Sequence, residues 1–120
     1  MGLDRNYYVI AGYDLTKYKT DKYREWQWTD EGQDFTCYQR RGRIQLFDDP
    51  MMGRYLYLGY IFAAGDEYEF RTTKFDIVEA EKQMNNVTEK LRHLKDVGVI
   101  SEELDEHAIV YSFIAFEEDT

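Results

Sequence analysis

Several short segments of the chain alternate apolar and polar residues, or are apolar throughout, as β-strands do. The clearest pair predicts a hairpin, because two such segments flank the turn-forming dipeptide Arg41-Gly42. A shorter segment fits a strand because the two-residue period would place Trp26 and Trp28 on one face. The predicted strands are residues 6–15, 25–29, 35–39, 43–47, 54–64, 67–72 and 108–116.

One long amphipathic helix interrupts this series of strands. Asp76 fits a helix cap with Glu79 three residues later, and Gly98 fits a left-handed terminator, so the helix is predicted over residues 77–97. Residues 101–104 predict a further helix of a single turn. Apolar residues recur along the long helix at three- and four-residue steps, which indicates one apolar stripe. The stripe consists of Ile77, Ala80, Met84, Val87, Leu91 and Leu94.

The order of these elements, several strands followed by one helix and one strand, predicts an α+β fold. We expect a mostly antiparallel sheet of about five or six strands with one long helix packed on one face. The step from the helix to the last strand also permits a parallel pairing there. A length of 120 residues is typical of one domain, so we expect residues 1–120 to form a single α+β domain.

Composition narrows the class of protein. Hydrophobic residues make up 43% of the chain, which includes 11 Tyr, 7 Phe and 2 Trp, and such a composition favours a packed core over disorder. The single cysteine, Cys37, excludes an internal disulfide framework and indicates a reducing compartment. No apolar run has the length of a transmembrane helix, and residues 1–6 lack the features of a secretory signal. We therefore expect a cytoplasmic protein that does not bind membranes.

Charge is distributed unevenly along the chain. Residues 1–54 hold nine acidic and nine basic residues, whereas residues 55–120 hold fifteen acidic and six basic residues and so carry the whole net charge of −9. This balance argues against direct nucleic-acid binding, which depends on Lys and Arg, and favours either a solubilising role or a basic partner. Seven acids flank the last apolar segment: Glu102, Glu103, Asp105, Glu106, Glu117, Glu118 and Asp119.

No motif in the sequence is typical of an enzyme. Neither of the two histidines has the spacing of a zinc site with Cys37, and no glycine-rich phosphate loop occurs. Cys37 fits a buried strand position, His93 lies beside the apolar stripe of the helix, and His107 opens the last predicted strand. We expect no catalytic residue, no cofactor and no metal site, and we expect activity to survive the replacement of each of these three residues.

In size, acidity and tyrosine content, the chain resembles small single-domain proteins encoded by tailed bacteriophages, which include anti-defence proteins such as CRISPR inhibitors. The resemblance implies a non-enzymatic inhibitor or regulator of a host nucleic-acid-handling protein. Such a protein acts in the host cytoplasm on a basic surface, where its carboxylates take the place of phosphates.

Two aromatic residues join the seven acids as candidates for partner binding. Tyr55 and Tyr57 share one face of their predicted strand, where they fit either a binding patch or packing within the sheet. A different class of function also fits the sequence. The chain could be a small structural protein, a component of a virion or a complex, that self-associates as a homodimer by pairing strand edges.

Overall fold

The computed structural model describes residues 3–36, 41–49, 53–66 and 74–119. Within these residues, four strands form one sheet, and one long helix and two short ones accompany it. The α+β class is therefore confirmed, with four strands in the described part of the chain instead of five or six. The elements are β1 (Leu3–Asp14), α1 (Tyr23–Trp26), α2 (Asp30–Thr36), β2 (Ile44–Asp48), β3 (Leu56–Asp66), α3 (Ile77–Asp96) and β4 (Val110–Asp119).

The strands lie in the order β2-β3-β1-β4, and each neighbouring pair is antiparallel. β1 and β3, the two strands whose sequences are apolar on both faces, occupy the interior of the sheet, and β2 and β4 form its edges within the described ranges. β4 runs antiparallel to β1, with Val110 opposite Gly12 and Asp119 opposite Leu3. This pairing decides the orientation that the sequence left open.

β1 and β3 approach each other closely at a pair of glycines. Gly12 lies directly opposite Gly59, and a Cβ atom added to Gly12 would lie 1.9 Å from the carbonyl oxygen of Leu58. Only a residue without a side chain fits at this position. The glycine pair therefore favours a single register between the two central strands.

The long helix ends as the sequence predicts. The Asp76 carboxylate accepts a hydrogen bond from the backbone N–H of Glu79 at 3.0 Å, and Gly98 has a φ of +83° just after the last turn. Ala80, Val87, Leu91 and Leu94 are fully buried, and Met84 packs against them. Ile77 differs from the prediction because it is 49% exposed. Side chains on a helix lean toward its N-terminus, so a residue in the first turn extends past the layer that the helix covers.

The helices cover only part of the sheet. α2 packs on β2, and α3 packs mainly on β3 and β1. The larger hydrophobic cluster lies beneath these helices and includes Tyr13, Leu58 and Leu91. A smaller cluster lies on the opposite face of the sheet and consists of Tyr8, Ile10, Phe47, Ile61 and Ile114. No described helix makes extensive contact with β4.

The strand predicted over residues 25–29 is wrong, and so is the start of the one predicted over residues 35–39, because the chain is helical or turned there; residues 37–39 lie outside the described residues. Trp26 ends α1 and is buried, whereas Trp28 is 74% exposed, so the two tryptophans do not share a face. Phe35, predicted to begin a hairpin strand, lies in α2. The local cause is a helix cap: the Thr29 hydroxyl accepts a hydrogen bond from the N–H of Gly32 at 3.2 Å. The strand from Ile44 pairs with β3.

Other predictions are corrected or lie outside the described part of the chain. Residues 101–104 form a turn and not a helix, because Leu104 is drawn into the core and the backbone continues toward β4. Residues 67–72 and Cys37, which were predicted to lie in strands, are outside the described residues. Among the described helices, none is both long enough and apolar enough to cross a bilayer.

Candidate functional site

The seven acids near β4 lie in two groups at opposite ends of that strand. Glu102, Glu103, Asp105 and Glu106, which we call the entry acids, occupy the loop that leads into β4. Glu117, Glu118 and Asp119, which we call the exit acids, end the strand and pair in register with Arg5, Asp4 and Leu3. The seven residues of β4 that precede the exit acids, 110–116, extend about 23 Å, so the two groups form separate negative regions.

The loop that carries the entry acids is held firmly to the helix and the sheet. Glu106 makes a bidentate ion pair with Arg92, with both N–O distances 2.9 Å. Its backbone carbonyl accepts a hydrogen bond of 2.7 Å from the hydroxyl of the buried Tyr13, and Lys95 donates one of 2.6 Å to the carbonyl of Leu104. The orientation of the loop is thus set by contacts on three sides.

These contacts divide the entry acids by role. The hydrogen bonds from Arg92 lower the pKa of the Glu106 carboxyl, and Glu106 in turn raises the pKa of Arg92. Glu106 is thereby a structural residue whose charge is largely compensated. Glu102, Glu103 and Asp105 are exposed. Asp105 accepts a hydrogen bond of 2.8 Å from the N–H of His107, which lies in a turn and does not open the strand as predicted.

Between the two acidic groups, β4 presents aromatic side chains to solvent. Tyr111 is 51% exposed and Phe113 is 59% exposed. In the register of the sheet they lie beside Ala11 and Val9, which belong to the cluster beneath α3, so both rings are on the helix-covered face. They remain accessible because α3 packs over β3 and β1 and does not extend to the edge strand.

These rings belong to a connected group of aromatic side chains, of which Phe62 is buried. Phe113 stacks on Tyr7 with ring centroids 5.6 Å apart, and Tyr111 meets the edge of Phe62 at 5.9 Å. Phe62 in turn contacts Phe75 at 6.1 Å, next to the start of α3. We call these five residues the β4 patch.

Other exposed apolar residues lie close in sequence to members of this patch. Ile109 immediately precedes β4 and is 44% exposed, and Ile77 and Val78 follow Phe75 and are 49% and 63% exposed. Isolated exposed apolar residues are common on proteins, whereas contiguous groups mark surfaces that bind other molecules. Tyr111 and Phe113 were not among the predicted partner-binding residues, although their two-residue spacing placed them on one face of the strand.

Tyr55 and Tyr57 lie near the same strand. Their rings are 5.9 Å apart, and both are half-buried. Together with Phe113, Ile114 and Ala115 they line a shallow cavity of about 250 Å³. Partial burial raises the pKa of both phenols, with Asp49 and Asp48 adding to the effect at Tyr55 and Asp14 at Tyr57. The two tyrosines therefore pack against the sheet and also contribute to the surface around β4.

A second depression, with a volume of about 610 Å³, lies between α2, α3 and β2. Glu31 connects its walls: one carboxylate oxygen is hydrogen-bonded to Nε2 of His93, and the other accepts a bond of 2.8 Å from Nε1 of Trp26. The bonds from Trp26 and His93 lower the pKa of the Glu31 carboxyl. We call this depression the groove, and it is lined by Glu31, Asp34, Phe35, Ile44, Asn86, Glu89, Lys90 and His93.

This groove contains an imidazole and a carboxylate, the pair that supports general-base chemistry. None of the described residues that line it is a serine, threonine, cysteine or tyrosine. In the described ranges of the chain, no three His, Cys, Asp or Glu side chains form a group suited to a metal ion. The observed contacts give His93 and Glu31 a clear structural role, because they join α2 to α3.

No protein-family model, curated protein or solved structure matches the chain. Its most distinctive surface is the β4 patch with acidic residues at either end of the strand.

Proposed function

We propose that the chain is a non-enzymatic protein-binding module whose binding surface is centred on β4. The observation that carries this proposal is the exposure of Tyr111 and Phe113 on an edge strand that lies between two acidic groups. Aromatic side chains supply most of the binding energy in many interfaces, because they bury a large area at a small cost in conformational entropy. Solvent exposure of such residues is compatible with a partner that covers them.

The acids indicate the charge of that partner. Glu102, Glu103 and Asp105 project from a loop that is already fixed by Tyr13 and Lys95. Binding of a partner therefore requires little further loss of conformational entropy in this loop. Carboxylates at the rim of an apolar surface accelerate association with a basic protein and disfavour acidic ones. We therefore propose that the partner presents Lys and Arg around an apolar centre.

Basic surfaces of this kind are common on proteins that handle nucleic acids, where they neutralise phosphates. A net charge of −9 and the separation of the acids into two groups support a role as an inhibitor of such a protein, with carboxylates occupying phosphate positions. This is the phage-type, anti-defence function that the overall character of the sequence implies.

The experiment that tests this function measures association with proteins captured from a bacterial lysate on the immobilised chain. The variant combines Glu102→Gln, Glu103→Gln and Asp105→Asn, and leaves Glu106 to hold Arg92. We expect slower association and a flatter salt dependence than for the native chain, and competition by duplex DNA for the captured partner.

A matched control removes the same charge from α1 and α2, the short helices beside β2, by Glu25→Gln, Asp30→Asn and Asp34→Asn at exposed positions. We expect the control to bind as the native chain does. Equal rates and equal salt slopes for both variants would contradict the proposal and leave the entry acids as a solvated surface.

Self-association is the second candidate function, and the edge position of β4 favours it. Edge strands offer backbone groups to another strand, and a second copy of this chain carries such a strand. Sedimentation equilibrium at increasing protein concentration distinguishes the two candidates. A stable homodimer would favour the structural function, whereas a monomer that binds a basic partner would favour the first.

A further inference from the structure

We propose that β4 and the β4 patch together bind an extended peptide segment of a partner, with apolar side chains at alternate positions and Lys or Arg at both ends. The inference rests on the proposed protein-binding function and specifies the chemistry of the partner and the way in which it binds. Three features of β4 support it: its place at the edge of the sheet, the spacing of its aromatic residues, and the charges at its ends.

The edge position supplies the backbone contacts. Within the described residues, β4 pairs with β1 on one side and with no strand on the other. The outer edge of such a strand directs N–H and C=O groups away from the sheet at alternate residues, and a segment added there lies about 4.8 Å from β4. Main-chain hydrogen bonds of this kind give affinity for extended peptides.

The β4 patch supplies the side-chain contacts. Tyr111 and Phe113 are two residues apart and so lie about 7 Å from each other on one face of the strand. An added strand places its alternate side chains at the same interval, beside these rings. Ile114, on the other face, is buried in the smaller cluster, whereas Tyr111 and Phe113 are both more than half exposed. Apolar residues of the segment therefore occupy every second position.

The charges at the two ends of β4 favour a segment with basic ends over a second copy of this chain as the strand that pairs with β4. The entry acids precede the strand and the exit acids end it, so both ends are negative. A second copy of β4 would bring acids against acids in an antiparallel arrangement and equally in a parallel one. Like charges placed opposite each other on neighbouring strands are destabilising, and charged ends are a known protection of strand edges against self-pairing. A segment with basic residues at both ends meets attraction at each end.

The test uses three synthetic fluorescent peptides and measures binding by anisotropy. The first has a core of about seven residues, which matches the length of β4 between its acids, with Val and Thr in alternation and two Lys at each end. The second has Glu in place of Lys. The third keeps the Lys residues but carries an N-methyl group on every amide of its core, which removes the strand-pairing donors of both edges and leaves its charge unchanged.

We expect the first peptide to bind and the other two to bind at least about tenfold more weakly. Tyr111→Ser combined with Phe113→Ser should weaken binding of the first peptide by a similar factor, while Trp28→Ser, at a 74% exposed tryptophan elsewhere, should leave it unchanged. Neutralising Glu102, Glu103 and Asp105 should reduce binding at low salt and flatten its salt dependence.

Three results would overturn the inference: equal binding of the N-methylated peptide, equal binding of the Glu-ended peptide, or a native homodimer that Phe113→Ser dissociates. Failure of the proposed protein-binding function can be distinguished from failure of this inference, because the function is tested with a captured protein partner and the entry-acid variant. If a captured partner loses affinity in that variant but not when Tyr111 and Phe113 are replaced, the protein-binding function stands and the strand-edge mode of binding is wrong.

Discussion

The covered and uncovered parts of the sheet have similar sequences and very different surroundings. In the covered part, β2, β3 and β1 lie beneath α2 and α3, and residues such as Leu58 and Tyr60 are buried. In the uncovered part, β4 carries Tyr111 and Phe113 on the same face, and both are more than half exposed. The difference arises from the width of the helical layer, because α3 spans two strands of a four-stranded sheet.

This comparison shows that an apolar residue in a strand is not necessarily a core residue. Burial depends on whether another element reaches the strand, and a single helix is about 10 Å wide, the width of two strands. A wider sheet leaves an edge for a second element or for a partner. The mutations below test whether the two parts differ in stability as they differ in burial.

The largest effect is expected for Leu91→Ala in the covered part. Leu91 is fully buried in the stripe of α3, so the change removes apolar contacts and leaves a cavity. We expect the free energy of unfolding to fall by about 2–5 kcal/mol, as measured by urea denaturation. An unchanged midpoint would show that α3 does not pack on the sheet in this way.

Gly12→Ala tests β1, which pairs with β3 of the covered part and with β4 of the uncovered part. A Cβ at this position would lie 1.9 Å from the carbonyl oxygen of Leu58, so β1 and β3 must move apart. We expect a loss of about 1–3 kcal/mol in the free energy of unfolding, as for other overpacked sites. Gly42→Ala is a useful comparison for packing, since no atom lies within 4 Å of its Cβ position, although its φ of +91° adds backbone strain.

Phe113→Ser tests the uncovered part. Because Phe113 is 59% exposed, we expect a loss of about 1 kcal/mol or less in the free energy of unfolding, measured in the same way. A loss as large as that of Leu91→Ala would mean that β4 is structurally equivalent to the covered strands. It would also remove the main reason to regard the β4 patch as a binding surface.

The smallest effect is expected for Glu31→Gln, which alters the link between the helices of the covered part. Both side chains of the Glu31–His93 pair are more than a third exposed, so solvent screening limits the effect to about 0.5 kcal/mol at neutral pH. The pKa of Glu31 is lowered from 4.5 in the folded chain, so the ionised carboxylate stabilises the fold above that pH.

The pH dependence makes this small effect testable. As the pH falls below 4.5 and through the lowered pKa of Glu31, the carboxylate takes up a proton and its extra stabilisation is lost. The difference between the native chain and Glu31→Gln should therefore be present at neutral pH and shrink in acid, as followed by urea denaturation at several pH values. Glu25→Gln, at an exposed glutamate of α1, should show no such trend.

Local patterns in the sequence determined the main elements of the structure. The caps of α3 and its stripe from Ala80 to Leu94 are confirmed, because helix periodicity and the Asp76 and Gly98 signals depend only on neighbouring residues. The interior positions of β1 and β3 follow likewise from apolar residues on both faces. The region of α1 and α2 was mispredicted, although Thr29, followed by Asp30 and Glu31, was a readable helix-cap signal.

The tertiary structure alone decided how these elements combine and which residues remain accessible. It placed the seven acids in two groups at opposite ends of β4, and it tied Glu106 to Arg92 while leaving Glu102 and Glu103 exposed. It also left Tyr111 and Phe113 more than half exposed. Periodicity along the chain shows which residues share a face of a strand, but whether that face is buried depends on contacts between residues far apart in sequence.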